Sequence, residues 1–206
     1  MYKLFYSPGT IALTPHIVLE EIGASFDAIR VNFADGEQTK PEYLKINPKG
    51  RVPALITEQG ILTETPAILL YLAQKHPDAK LAPLDDVFQL GKMQSINSYL
   101  SSTAHVNHAH RRRGTRWVAE KSSIEDMGRK VKSNMEDCFA LIQSEMFKGP
   151  WVMGDDYSVA DPYLFTVSRW LEGDGVSIAD FPKIEAHFAR MMDRPAVQRA
   201  LALHTA

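Results

Sequence analysis

Apolar residues change their spacing several times in the first third of the chain. Tyr2-Lys3-Leu4-Phe5-Tyr6 is short and rich in aromatics, which predicts a β-strand. After a Pro8-Gly9 turn, Ile11, Leu13, Ile17, Val18 and Ile22 recur near helical spacing until Gly23 stops them. Residues 26–33, with β-branched Ile29 and Val31, predict a second strand, and residues 43–46 a short helical turn closed by Asn47-Pro48-Lys49-Gly50. Residues 52–57 and 61–63 predict two strands of a hairpin turning at Gln59-Gly60. Thr65 is then expected to cap a helix with Pro66 at its first position, where a missing N–H costs nothing. The order β-α-β-α-β-β-α predicts a small mixed sheet with helices on its faces.

Residues 77–86 carry two prolines and few large apolar groups, the composition of a linker. Beyond them the spacing is helical throughout, over residues 88–113, 124–147, 159–171, 184–192 and 196–203. The expected organisation is therefore α/β plus all-α, with a mixed domain over 1–76, a linker over 77–86 and a helical domain over 87–206.

Composition then removes whole classes of function. The 206 residues carry a formal net charge of −2, without the positive excess that holding a nucleic-acid backbone requires. Cys138 is the single cysteine, so neither an intramolecular disulfide framework nor a multi-cysteine zinc site is possible. No apolar run reaches the roughly 18 residues of a membrane span, and the first residues run into a strand pattern without signal-peptide anatomy. A cytoplasmic protein is the expectation.

Three stretches could carry chemistry. Pro53 stands directly before an apolar strand and cannot donate to its ladder, so it belongs at the strand's first position. A cis bond there would turn the N–H and C=O of Val52 outward as a docking edge for an extended peptide; an ordinary start of a strand is the plain alternative. Glu64-Thr65-Pro66 marks a helix start, whose free N–H groups suit a ligand carboxylate while Glu64 would meet an ammonium on the same ligand. Simple capping explains the same residues. The third stretch, residues 104–116, holds His105, His108 and His110 followed by Arg111, Arg112, Arg113 and Arg116. His105 and His108 share a helix face, which permits a metal site, but no carboxylate neighbour is evident in the sequence and no metal is expected. The arginines are either a solvated face or part of a pocket for an anionic substrate.

Taken together, Tyr6-Ser7-Pro8-Gly9-Thr10, the His16 region, Asn47-Pro48-Lys49-Gly50, the Val52-Pro53 and Glu64-Thr65 pair, and Ala160-Asp161-Pro162-Tyr163-Leu164-Phe165 resemble the glutathione transferase family over the whole chain, most of all its bacterial beta-class members. The resemblance implies a thioredoxin-like domain followed by a helical bundle, glutathione as co-substrate, a small electrophile as second substrate and a homodimer. It also implies that Arg51, Val52 and Pro53 hold the cysteinyl part of glutathione, that Glu64 and Thr65 hold its γ-glutamyl end, and that His105, with Ile11, His108 and Arg112, lines the second-substrate pocket. Ser158-Val159-Ala160-Asp161 matches the family's folding motif and reads independently as a capping box.

One departure bears on mechanism. Where beta-class enzymes carry a cysteine two residues after Pro-Gly, this chain has Ile11; directly after Pro-Gly stands Thr10, a hydroxyl. Ser98 replaces the asparagine that the family lends across its dimer, and no match exists for the lysine beta-class relatives use before the second helix. The expected catalytic group is therefore Thr10, with Ser7 and Tyr6 in reserve and His105 as a further active-site residue that the resemblance implies, and Cys138 is expected in the core. Glutathione-dependent disulfide reduction and a non-catalytic binding role are the alternatives.

Overall fold

The computed structural model describes residues 1–204, which divide into two compact units. Unit 1 comprises Met1–Leu90 and Met191–Ala206, of which the last two residues lie outside the described part; unit 2 is Gly91–Arg190. The last helix of the chain thus belongs with the first unit. The fold is a mixed sheet with helices followed by a helical domain, as the residue spacing predicts, and the first part has the thioredoxin-like arrangement that the resemblance implies.

Unit 1 contains β1 (Tyr2–Tyr6), α1 (Leu13–Glu21), β2 (Phe26–Arg30), α2 (Pro41–Leu44), β3 (Ala54–Thr57), β4 (Gly60–Thr63), α3 (Thr65–Lys75) and α9 (Pro195–His204). The strands lie in the order β2-β1-β3-β4, with β1 parallel to β2 and the other neighbours antiparallel. Several expected boundaries shift for local reasons. β2 ends at Arg30 because Asn32 draws the chain into a turn: its N–H goes to Glu37 Oε2 (2.7 Å), its Nδ2 to Asp35 (2.7 Å), and its Oδ1 accepts from Ala34. Glu64, rather than Thr65, is the cap residue of α3, so Thr65 is the first helical residue and Pro66 the second.

Seven consecutive residues of α1, from Leu13 to Leu19, are buried, His16 among them. His16 Nδ1 lies 3.1 Å from His204 Nε2 on α9, and Tyr6 packs against both imidazoles. Glu20 Oε1 sits 3.9 Å from His16 Nε2. A proton on Nε2 faces that carboxylate favourably, so His204 Nε2–H donates to His16 Nδ1. Two ion pairs flank this contact, Arg194 bidentate on Glu21 (2.6 and 2.9 Å) and Arg199 on Glu20 (2.6 Å).

Unit 2 is built from α4 (Val87–Tyr99, which starts in unit 1), α5 (His105–Arg113), α6 (Lys121–Leu141), α7 (Ala160–Ser168) and α8 (Pro182–Met192). The single helix expected over 88–113 is interrupted by a π-helical turn at Leu100–Ala104. Ser101 and Ser102 both donate to the Ser98 carbonyl (3.0 and 2.8 Å), a side-chain competition that loosens the helical ladder there. α7 is buried along its whole length. Its Asp161 carboxylate, fully buried, accepts from the N–H of Val152 (2.8 Å), the N–H and Oγ of Ser158 (2.7 and 3.2 Å) and Nε2 of His187 (3.1 Å). Asp161 reaches back as a capping box requires, but the Ser158 hydroxyl accepts from Ala160 N–H (3.3 Å) rather than from Asp161. The carboxylate is thus a junction for the preceding loop, α7 and α8, which is more than a cap.

Two outcomes follow from these buried groups. Asp161→Ala strands four donors in a fully buried site and should cost roughly 3 kcal/mol or more, read from urea unfolding. Burial lowers the His16 pKa to about 4 from 6.5, against a weaker raising influence of Glu20. The unfolded chain therefore binds a proton that the folded chain refuses, so stability is full above pH 6.5 and falls as pH drops towards 4. At about 1.4 kcal/mol per pH unit the loss approaches roughly 3 kcal/mol. Unfolding at pH 7 and pH 4.5 should show it, with a smaller difference in His16→Gln.

Candidate functional site

The sheet register gathers three of the sequence-predicted groups at one end of unit 1. Phe5 pairs with Ala54, and Ala54 with Thr63. The turn after β1, the residues before β3 and the residue after β4 therefore leave the sheet together. These are Ser7 to Ile11, Arg51 to Pro53, and Glu64.

The segment before β3 is held from behind. Asn47 Nδ2 and the Tyr43 hydroxyl both donate to the Arg51 carbonyl, at 2.6 and 2.7 Å. Burial pushes the Tyr43 phenol up to about 12, so it remains a donor at any ordinary pH. Gly50 has φ +61°, and a β-carbon there would stand 3.0 Å from the Gln38 carbonyl, so the turn requires glycine. With Arg51 pinned, the Val52–Pro53 peptide follows in the cis form. Among the described residues neither main-chain polar group of Val52 takes a hydrogen bond, whereas the Val52 side chain is buried. The Arg51 side chain is exposed.

Glu64 adopts φ +70° and ψ 120°, outside the regions open to L-residues at low energy. Such conformations cost of order 1–3 kcal/mol and cluster where ligands are clamped. Its side chain is 63% exposed and meets Lys49 Nζ, which also donates to Thr63 Oγ1 (2.7 Å). The first turn of α3 leaves its N–H groups without intrahelical partners, and Thr65, buried, heads it.

In the turn after β1, Thr10 Oγ1 donates to the Ser7 carbonyl (2.6 Å) and accepts from Ala12 N–H (3.4 Å). The N–H of Ile11 takes no hydrogen bond among the described residues. Ser7 is buried, and Tyr6 is packed in the core against His16 and His204. Cys138 lies in unit 2, buried, with Asn107 Nδ2 3.4 Å from its sulfur.

Unit 2 brings together a second group that sequence reasoning saw only in part. His105 and His108 both pack on Trp170, at ring centroid distances of 4.9 and 4.3 Å, the second pair stacked at 16°. The carboxylate missing from the sequence reading is Asp174, distant in the chain. Its oxygens lie 2.8 and 3.0 Å from His108 Nδ1 and 3.1 Å from Arg111. No local pattern reveals a partner 66 residues away. Arg112 is exposed. Among the described residues no group of three or more His, Cys, Asp or Glu is placed to hold a metal ion, and no helix is long and apolar enough to cross a membrane.

Known proteins agree with this layout. Residues 1–74 match the glutathione S-transferase N-terminal domain and residues 120–195 the C-terminal domain. Glutathione S-transferase GstA of Escherichia coli O157:H7 is 32% identical, over 97% of each chain. A glutathione transferase homologue from Sulfitobacter, solved with bound glutathione, is 47% identical, covers 98% of this chain and 97% of its own, and has a TM-score of 0.95. A beta-class glutathione S-transferase from Sphingomonas chungbukensis is 34% identical over 98% of each chain, with a TM-score of 0.85. The chain belongs to the glutathione S-transferase family.

Proposed function

We propose that this enzyme conjugates the thiolate of glutathione to small electrophiles, and that a hydroxyl rather than a cysteine stabilises the thiolate. The observation that carries the reading is the unbonded main-chain edge of Val52, standing at the same sheet end as the strained Glu64 and the Thr10 turn. Glutathione is the co-substrate, as the glutathione-bound Sulfitobacter relative supports. Its cysteinyl amide would pair with Val52, beside Arg51 and Pro53. Its α-carboxylate would take the first-turn N–H groups and hydroxyl of Thr65, and its ammonium the Glu64 carboxylate. Lys49 now occupies that carboxylate, but an exposed ion pair is worth only about 0–1 kcal/mol and yields readily. We assign His105, His108 and Arg112, with Ile11, to the second substrate. A homodimer working in the cytoplasm completes the proposal.

The sulfur chemistry follows from magnitudes. Thr10 spends its proton on the Ser7 carbonyl in the free enzyme. Turning it to a thiolate exchanges a neutral bond worth about 1 kcal/mol for a charge-assisted one of about 1.5–3 kcal/mol. The net gain is about 0.5–2 kcal/mol, or about one unit in the thiol pKa. The Ile11 N–H, already unpaired, adds a second donor that needs no rearrangement.

Calorimetry should detect glutathione binding, weakened roughly ten- to hundredfold in Glu64→Ala, as loss of one charge-assisted bond requires; no heat at millimolar glutathione overturns the proposal. Thr10→Ala should lower kcat about tenfold and raise the pKa of bound glutathione by about one unit, read from its thiolate absorbance, while Cys138→Ser leaves turnover unchanged. A neutral Thr10→Ala would transfer the role to the Ile11 N–H.

A further inference from the structure

The turn before Val52 carries a lysine that the hold on the peptide backbone does not require. Lys49 N–H donates to Asn47 Oδ1 (3.2 Å) while Asn47 Nδ2 donates to the Arg51 carbonyl (2.6 Å). One amide side chain thus sets both the backbone of Lys49 and the approach to Val52. From that fixed base the Lys49 side chain reaches the junction of β4 and α3, where Nζ donates to Thr63 Oγ1 (2.7 Å) and to Glu64 Oε1. Thr63 is held in the sheet opposite Ala54, and Glu64 is held at φ +70°. The backbone therefore positions both sides of the contact, unlike a pair between two loose surface chains. Only one oxygen of the carboxylate is used: Glu64 Oε2 takes no hydrogen bond, and Glu64 meets no second cation, among the described residues. The carboxylate assigned above to a ligand's ammonium already holds an ammonium supplied by the chain itself. The N–H groups of the first turn of α3 remain open for a ligand's carboxylate beside it.

We propose that Lys49 is a specificity-determining residue of the glutathione site. It stands in for the ligand's α-ammonium on Glu64, so the enzyme also takes thiol peptides whose first residue keeps its carboxylate but lacks the amino group. This rests on the transferase reading above and concerns the γ-glutamyl end of the same site. A ligand without an amino group leaves the Lys49–Glu64 pair closed, and its carboxylate approaches a neutral pair instead of a bare anion. Glutathione brings a second ammonium, which either displaces Lys49 from Oε1 or shares the carboxylate through Oε2. Either way it gains less than at an unneutralised Glu64, because one pair is exchanged for another or one charge is divided between two cations. The reduction is the worth of an exposed pair, up to about fivefold in affinity. Discrimination against the desamino ligand is therefore weak while Lys49 is present, and removing the lysine sharpens it.

The test is a calorimetric titration of the full-length parent and of Lys49→Met with two ligands, glutathione and its desamino analogue glutaryl-cysteinyl-glycine. The parent should prefer glutathione by less than about tenfold, and Lys49→Met should widen that preference about fivefold. Lys49→Arg keeps a cation at the end of a long side chain and should return the preference to the parent's value. Adding Glu64→Gln to Lys49→Met should abolish the widening, since no carboxylate is left to neutralise. The ratio of the two affinities is compared within each variant, so a local rearrangement that weakens both ligands alike does not alter the reading. A preference that is narrower, or unchanged within about twofold, in Lys49→Met overturns the proposal. A widening that survives the loss of the Glu64 carboxylate overturns it too. So does a parent that binds glutathione but gives no heat with the analogue at millimolar concentration. Each of these outcomes leaves the transferase reading intact. A parent that binds neither ligand removes that reading and this proposal with it.

Discussion

Pro53 has no N–H to give, and the organisation of unit 1 depends on that. The β3 ladder can begin only at Ala54, so Val52 lies beyond the last rung with its main chain outside the sheet. Everything around it acts to hold that amide in place. Tyr43 and Asn47 grip the Arg51 carbonyl from one side, and the buried Val52 side chain anchors it from the other. Because Phe5, Ala54 and Thr63 are in register, the same rung that ends at Pro53 also delivers the Thr10 turn and Glu64. An extended peptide ligand meets one prealigned edge and two flanking polar groups, so little ordering is required on binding.

Glu64 shows what that arrangement costs the chain. A positive φ at a glutamate is tolerated only where neighbouring elements determine it on both sides, here β4 before and α3 after. The backbone turn makes Glu64 the cap residue of α3 and leaves its carboxylate exposed beside the helix's open N–H groups. Lys49 neutralises it in the meantime, so the free site holds a weak, exchangeable pair instead of an isolated charge.

The elements of unit 1 were legible because their signals are local: aromatic strands, a Pro-Gly turn, and a proline in the first turn of a helix. The place of Pro53 before an apolar strand was legible for the same reason, but whether its peptide bond is cis or an ordinary strand entry was left open by the sequence, and the structure shows it cis. What the sequence hid is either a matter of a single dihedral or of distance along the chain. The φ of Glu64 is one such dihedral, and it moved the cap of α3 by one residue. The serines at 101 and 102 look harmless in a helical run, yet their back-bonding to Ser98 interrupts it. Asp174 lies beyond two helices from His108, and the packing of α9 on α1 joins residues at opposite ends of the chain.

Unit 2 holds two carboxylate–histidine pairs, and they differ in how far they are shut off from the surface. In Asp161–His187 both side chains have no exposure, and the carboxylate also takes donors from Val152 and Ser158. His187 Nδ1 is buried without a partner in the described chain, so nothing outside the core can reach that imidazole. The pair is a structural junction. Asp174–His108 has an equally buried carboxylate, but its histidine is 21% exposed and presents the nitrogen that Asp174 does not use. A junction is complete when all its donors are satisfied inside. In the second pair the carboxylate is as deeply buried, but the nitrogen that Asp174 does not use stays open towards the surface, so that junction is not closed from both sides.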